Sequence, residues 1–314
     1  MHALVTGAAG FVGSHLAEAL LARGDTVIGV DCFTPYYDRL DKEQNVAPAF
    51  AHDDFELVEA DLRTTDIDAL LNGVDAVFHQ AAQAGVRLSW SDGFSDYVGH
   101  NVLATQRLLE AVQRSRPSAR VVYASSSSVY GNQVRYPTVE TDLPKPFSPY
   151  GVTKMAAEHL CSLYAENWGV HTVSLRYFTV FGPRQRPDMS IHRLCQAAVD
   201  GSTFPLYGDG TQIREFTYVS DIVAANIAAA EREVVPGTYL NVAGGAEITI
   251  NELIALVGEL AGAPVAVVAE PRKPGDSFHN GGASDRAREM LGWVPQVPLR
   301  DGIAAQIAWH RERM

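Results

Sequence analysis

A doubly wound parallel α/β sheet with a smaller C-terminal α/β lobe is the fold class this sequence predicts, on three observations. Short apolar, β-branched runs alternate with helix-period stretches from residue 1 to about 177. A glycine-rich turn stands between the first run and the first helical stretch. After Tyr177 the alternation gives way to Gly/Pro-punctuated loops such as FGPRQRPDM, YGDGTQ and EPRKPGDS. Strands and helices that alternate along a chain pack as one parallel sheet with helices on both faces.

Taken in order, HALVT, TVIGV, FELVEA, DAVFHQ, RVVYAS and VHTVSLRY read as strands. The stretches from Phe11 to Leu21, Asp96 to Gln113 and Tyr150 to Asn167 space apolar residues three or four apart, as an amphipathic helix does. With no repeat, low-complexity tract or linker-like run, the 314 residues predict one large unit or two lobes packed as one body. Residues 1–177, with about 220–243, are expected to form the first unit, and 178–219 with 244–314 the second lobe.

Hydrophobic residues make up 46% and charged ones 20% of the chain, an ordinary globular balance. Its net charge of −12 argues against a general nucleic-acid or anionic-membrane surface, so an anionic substrate must be met locally. Cys32, Cys161 and Cys195 show no C-x-x-C spacing and read as small apolar residues. The ten histidines show no metal spacing, and no metal is expected; His79 reads as a core or cofactor-lining residue. Trp90, Trp168, Trp293 and Trp309 read as core or lobe-packing residues. No basic segment precedes an apolar stretch at the N-terminus, and the longest apolar run, near Leu253, is broken by Glu259 and Pro264. A reducing, cytoplasmic setting is expected.

The glycine turn is Thr6-Gly7-Ala8-Ala9-Gly10-Phe11-Val12-Gly13. Glycines there let the backbone turn sharply, approach a pyrophosphate and pack helix on sheet, while the helix N-terminus offers N–H groups to the anion. Alone it could be a mere tight turn. The second strand, however, ends in Asp31, about 20 residues on, where a carboxylate accepts from the adenosine ribose hydroxyls and repels a 2′-phosphate. NAD is therefore expected over NADP, on a Rossmann-type domain. Asp61-Leu62, after the third strand, is placed either to contact the adenine or as an ordinary solvated loop.

Tyr150 and Lys154 stand four apart at a predicted helix start, after the serine-rich strand end Ser125 to Ser128. That spacing puts both on one helix face, where the ammonium would favour the ionised phenol. A tyrosine with a pKa of about 10 is otherwise a poor base at neutral pH.

On these motifs the sequence resembles the extended short-chain dehydrogenase/reductase family, in particular its nucleotide-sugar epimerases and dehydratases, over essentially the whole chain. The resemblance implies that Gly7, Gly10, Phe11, Val12, Gly13, Asp31, Asp61, Leu62, Ala81 and Tyr177 hold NAD. It implies that Tyr150 exchanges a proton with a sugar hydroxyl, that Lys154 binds the nicotinamide ribose, and that Ser126, four residues before the Tyr of V-Y-G, assists the base. Ser127 and Ser128 stand where dehydratases carry Asp-Glu and decarboxylases a Glu, so simple epimerisation is implied. Four segments look like UDP-glucuronate 4-epimerases: Asp31-Cys32-Phe33 with Tyr36-Tyr37-Asp38, Gln80 to Arg87, Arg176 to Arg184, and Arg186-Pro187-Asp188-Met189. UDP-galactose epimerases commonly carry Asn where Thr179 stands.

The implied function is NAD-dependent conversion of UDP-glucuronate to UDP-galacturonate. The alternatives are a UDP-glucose or UDP-N-acetylglucosamine 4-epimerase, or a non-catalytic NAD-binding regulator. Arg186 becomes the candidate carboxylate partner, with Thr179, Ser127 and Ser128 as hydroxyl donors, Arg87 nearby, and Arg184 a rival because the family's usual G-P-W-G-R-P here reads Gly182-Pro183-Arg184-Gln185-Arg186-Pro187. Arg214 is implied at the UDP, and Lys273 with Asp276 at phosphate and ribose, with Arg272 an alternative. A homodimer through the helices around 96–113 and 150–167 is also implied.

Overall fold

The computed structural model of the chain describes residues 1–273, 275 and 277–314, with Ser91 described in its backbone alone. Its strands are β1 (His2–Thr6), β2 (Thr26–Asp31), β3 (Phe55–Glu59), β4 (Ala76–His79), β5 (Arg120–Ser126), β6 (Thr172–Tyr177), β7 (Thr179–Phe181), β8 (Phe204–Tyr207), β9 (Ile213–Tyr218), β10 (Thr238–Val242), β11 (Ala246–Thr249), β12 (Val267–Glu270) and β13 (His279–Asn280). The helices are α1 (Phe11–Ala22), α2 (Arg39–Val46), α3 (Ile67–Leu70), α4 (Phe94–Tyr97), α5 (Ala104–Ser115), α6 (Pro149–Trp168), α7 (Ser190–Asp200), α8 (Val219–Glu231), α9 (Ile250–Ala261), α10 (Asp285–Leu291) and α11 (Leu299–Glu312).

Seven strands form a wholly parallel sheet in the order β10-β6-β5-β4-β1-β2-β3. These strands read as near-continuous apolar runs because both faces are covered. One face packs Leu16 and Leu20 of α1 and Ile222 of α8. The other packs Leu108 and Val112 of α5 and Ala157 and Cys161 of α6. Chain order reverses at β1, which pairs with both β2 and β4. Ligands bind at such a switch point, beyond the carboxyl ends of the strands, and the glycine turn leaves β1 there.

The segment after β6 builds a second, four-stranded sheet from β7, β9, β11 and β13. Phe181, Leu194, Phe216, Leu253 and Ile303 form a separate core between that sheet and α7, α9 and α11. Between the two, α8 and β10 return to the main sheet.

Three expectations need correction or refinement. The helix expected over Asp96 to Gln113 is interrupted by a π-helical turn, Val98–Leu103, between α4 and α5. Asn101 in that turn is buried; it donates to the Gln83 carbonyl at 3.0 Å and the Thr153 hydroxyl at 3.0 Å, tying the post-β4 loop to α6. Of the four tryptophans only Trp293 is buried, donating to the Asp221 carbonyl, whereas Trp90 and Trp168 are 44% and 63% exposed. Scattered large apolars do not reveal from sequence which of them a neighbour covers. His79 is a satisfied core histidine held between the Thr6 and Thr105 hydroxyls, and burial brings its pKa down to about 3. Among the described residues no helix is long and apolar enough to cross a membrane.

A buried network stiffens the floor beneath the reactive end of β5. Arg176 on β6 pairs with Glu158 of α6 and donates to the Tyr130 hydroxyl at 2.7 Å. Glu158 accepts from Ser125 at 2.6 Å, and Tyr130 donates to Asn241 of β10 at 2.7 Å. Ion pairs of this kind lose strongly when one partner is removed, because the other is left buried and uncompensated. The Tyr of V-Y-G and the Arg before Tyr177 are thus framework residues.

Candidate active site

One groove of about 910 Å³ runs over the switch point and is lined by the glycine turn, Asp31, Asp61, Ser126 to Ser128, Tyr150, Lys154, Thr179, Arg186 and Arg214. At its cofactor end Gly7 takes φ +71°, and a Cβ there would lie 2.8 Å from the Ala81 nitrogen. A Cβ on Gly13 would collide with the Gly7 carbonyl. This cradle only glycine can form. The Asp31 carboxylate accepts from the Ala9 and Phe33 N–H groups at 3.1 and 2.8 Å and lines the groove, its pKa raised by burial. Such a donor set and cradle fit a dinucleotide.

Asp61 is neither unpaired nor loosely solvated, because Arg63 chelates both its oxygens and holds its pKa low. Leu62 is buried beside it. Lys42 is a groove residue that sequence reading missed. It donates to the Thr34 carbonyl at 2.7 Å, and its charge offsets part of the burial of Asp31. Its signal would have been a lysine on a short polar helix following the second strand. The Tyr177 ring lines the groove while its hydroxyl meets Asn226 and Gln80.

Ser148 caps α6 by accepting from the Gly151 N–H at 3.1 Å, and Pro149 opens the helix, so Tyr150 sits in its first turn facing the groove. A Cβ on Gly151 would press on the Ser128 carbonyl, so this glycine lets α6 approach the serine segment. Burial raises the Tyr150 pKa, while the Arg186 charge and a hydrogen bond from Ser126 pull it down. Lys154 lines the groove together with Tyr150. Its ammonium donates to the Ala124 carbonyl at 2.8 Å and lies over the Tyr123 ring, and burial brings its pKa down to about 7. Sharing a helix face sets proximity of Cβ atoms, and a long lysine chain then follows the nearest acceptor.

Arg186 lines the groove, and Arg184 is not among its lining residues. Arg184, at φ +64°, turns away to pair with Glu18 of α1. Gln185 between them is buried; it donates to the Val180 carbonyl at 2.7 Å and accepts from Gln306 of α11 at 2.9 Å, while His192 meets its carbonyl at 2.6 Å. Thus the glutamine that replaces the family's usual glycine anchors the arginine loop to the C-terminal helix. Ser127 accepts from Asn280 of β13 at 3.2 Å, which brings an unforeseen amide into the groove wall. Asn280 is 153 positions away, and no local pattern marks it.

Arg214 lines the groove and donates to the Ser277 carbonyl at 2.7 Å. Arg87 also lines it and stacks 4.1 Å over Tyr207, with Lys273 5.4 Å from the same ring. Arg193 joins them, and the three cations lower the Tyr207 pKa. Tyr207 and Arg193 were not foreseen. Lys273 and Arg272 line a side cavity with Trp90 and Phe147. The Asp276 expectation lies outside the described residues.

A cradle that fits a dinucleotide, beside Ser126 at the end of β5 and Tyr150 and Lys154 on α6, defines the site of a nicotinamide-dependent enzyme. Residues 3–243 match the NAD dependent epimerase/dehydratase family, and the chain belongs to it. Over 313 residues it is 39% identical to an uncharacterized UDP-glucose epimerase of Bacillus subtilis strain 168, covering 98% of each chain. It is 33% identical to the UDP-glucuronate 4-epimerase of Thermodesulfobacterium geofontis, covering 99% of this chain and 96% of that one. The structure superposes with a TM-score of 0.96 on UDP-glucuronic acid 4-epimerase from Bacillus cereus in complex with UDP-glucuronic acid and NAD, at 38% identity and with both chains covered in full.

Proposed function

We propose that the protein interconverts UDP-glucuronate and UDP-galacturonate through a transient 4-keto sugar. One observation carries this substrate choice: Arg186 lines the same groove as Tyr150 and Ser126. A base for the C4 hydroxyl and a cation for the C6 carboxylate thus share one pocket. Bound NAD supplies the hydride acceptor and donor for C4. Tyr150 takes the C4 hydroxyl proton and later returns it, and Ser126 stabilises the phenolate by donating to it. Ser127, held by Asn280, together with Ser128 and Thr179, offers hydroxyls around the carboxylate, and Arg186 pairs with it. Arg214, Arg87 and Arg193 meet the diphosphate at the other end, where the acidic chain concentrates positive charge.

Incubation with UDP-glucuronate and separation of the epimers tests this reading: UDP-galacturonate accumulates if it holds, and unchanged substrate contradicts it. Because Asp31 faces the place of the ribose hydroxyls, denaturing the purified protein should release NAD, and NADP as the main nucleotide would refute the Asp31 argument.

A cytoplasmic homodimer belongs to the same reading. Phe94, Val98 and Leu103 on the α4–α5 run, and Val152 and Leu163 on α6, are apolar and each at least 39% exposed, which supports pairing through these helices. Light scattering should report two chains per particle and one for Val152→Arg; a monomeric wild type would remove this part.

A further inference from the structure

We propose that Asp188, held by Tyr36, is a resident counter-ion for Arg186 that lets the sugar pocket accept neutral as well as acidic UDP-hexoses. The inference rests on reading Arg186 as the partner of the sugar carboxylate.

Asp188 grips Arg186 through both carboxylate oxygens, with Nε to Oδ1 at 3.0 Å and Nη2 to Oδ2 at 3.1 Å. The Tyr36 hydroxyl donates to Asp188 Oδ2 at 3.1 Å, and its ring stands 5.8 Å from the guanidinium. Space for that hydroxyl comes from Gly85, at φ +96°, where a Cβ would collide with the Tyr36 oxygen. Residues from the loop after β2, the loop after β4 and the segment before α7 therefore converge on a single ion pair. A solvated surface pair needs no such construction.

The arrangement has a consequence for substrate choice. A guanidinium in a pocket that a nucleotide sugar closes to water is unfavourable unless paired. When the sugar is a neutral hexose, Asp188 remains that partner. When the sugar carries a carboxylate, two anions share one cation, and Asp188, 40% exposed, has a path toward solvent. Asp188 thus opposes the acid and supports the neutral sugar. It touches neither reacting atom and acts only through Arg186, as a positioning residue.

The test is Asp188→Asn in the NAD-loaded full chain, with KM and kcat measured on UDP-glucuronate and UDP-glucose. KM should fall for the acid and rise for the neutral sugar, moving the acid-to-neutral efficiency ratio up by about tenfold, the size of one partly screened charge interaction. Tyr36→Phe should move it the same way by less. A residue that only braces Arg186 would raise KM for the acid, so a ratio that falls or stays constant overturns the proposal. If wild type turns over no UDP-glucuronate, the carboxylate reading itself fails. The UDP-glucose arm then still decides: a raised KM in Asp188→Asn supports the counter-ion, and an unchanged one refutes it.

Discussion

Tyr150→Phe should lower epimerisation by about 10² to 10⁴, the range for loss of a general acid/base, while bound NAD is retained. The substitution removes one oxygen from a half-buried first-turn position and leaves the ring packed edge-on against Tyr97 at 6.2 Å. Nothing in the glycine cradle or at Asp31 changes, so the nucleotide released on denaturation should stay the same. Loss of rate with NAD retained separates the proton step from cofactor binding. The free-chain phenol has a pKa above its ordinary value because burial outweighs Ser126 and Arg186. Ser126→Ala should therefore reduce turnover in the same direction. Near-normal turnover in Tyr150→Phe would exclude Tyr150 as the base.

Arg186→Ala should cost about 2 to 5 kcal/mol of binding and transition-state stabilisation with UDP-glucuronate, the range for one partner of a charge-assisted, largely desolvated pair. At about 1.4 kcal/mol per tenfold, efficiency falls by one to three or more orders of magnitude. UDP-glucose has no carboxylate, so its efficiency should fall far less. The 4-keto intermediate of the acid is a β-keto acid, which loses carbon dioxide once its carboxylate can rotate out of the sugar plane. Weakening the hold should thus also raise the fraction of decarboxylated pentose, read from the same separation of products. An efficiency ratio unchanged from wild type would move the carboxylate contact away from Arg186.

The six strands and the glycine turn were legible because their signals are local. A strand buried on both faces must be apolar throughout, and a backbone that approaches a pyrophosphate must be glycine. Tyr150 and Ser126 were legible for a related reason, since helix start and strand end place them by short spacings. What was hidden depends on distant parts of the chain. Gln306 steadies the arginine loop from 121 positions beyond Gln185, and Tyr36 reaches Asp188 across 152. The Ala124 carbonyl that holds the Lys154 ammonium was not legible, because spacing on a helix says nothing about the acceptor a long side chain finds. Between Arg184 and Arg186 the sequence could not choose, and the left-handed backbone at Arg184 together with Glu18 on α1 makes the difference.

The measurement that bears most directly on the central claim is kcat/KM of the purified wild-type chain on UDP-glucuronate and on UDP-glucose, side by side and without added NAD. Pairing of Arg186 with a carboxylate near Tyr150 predicts a higher efficiency for UDP-glucuronate, with UDP-galacturonate as its product. A higher efficiency for UDP-glucose would contradict the account and make the protein an epimerase of neutral sugars.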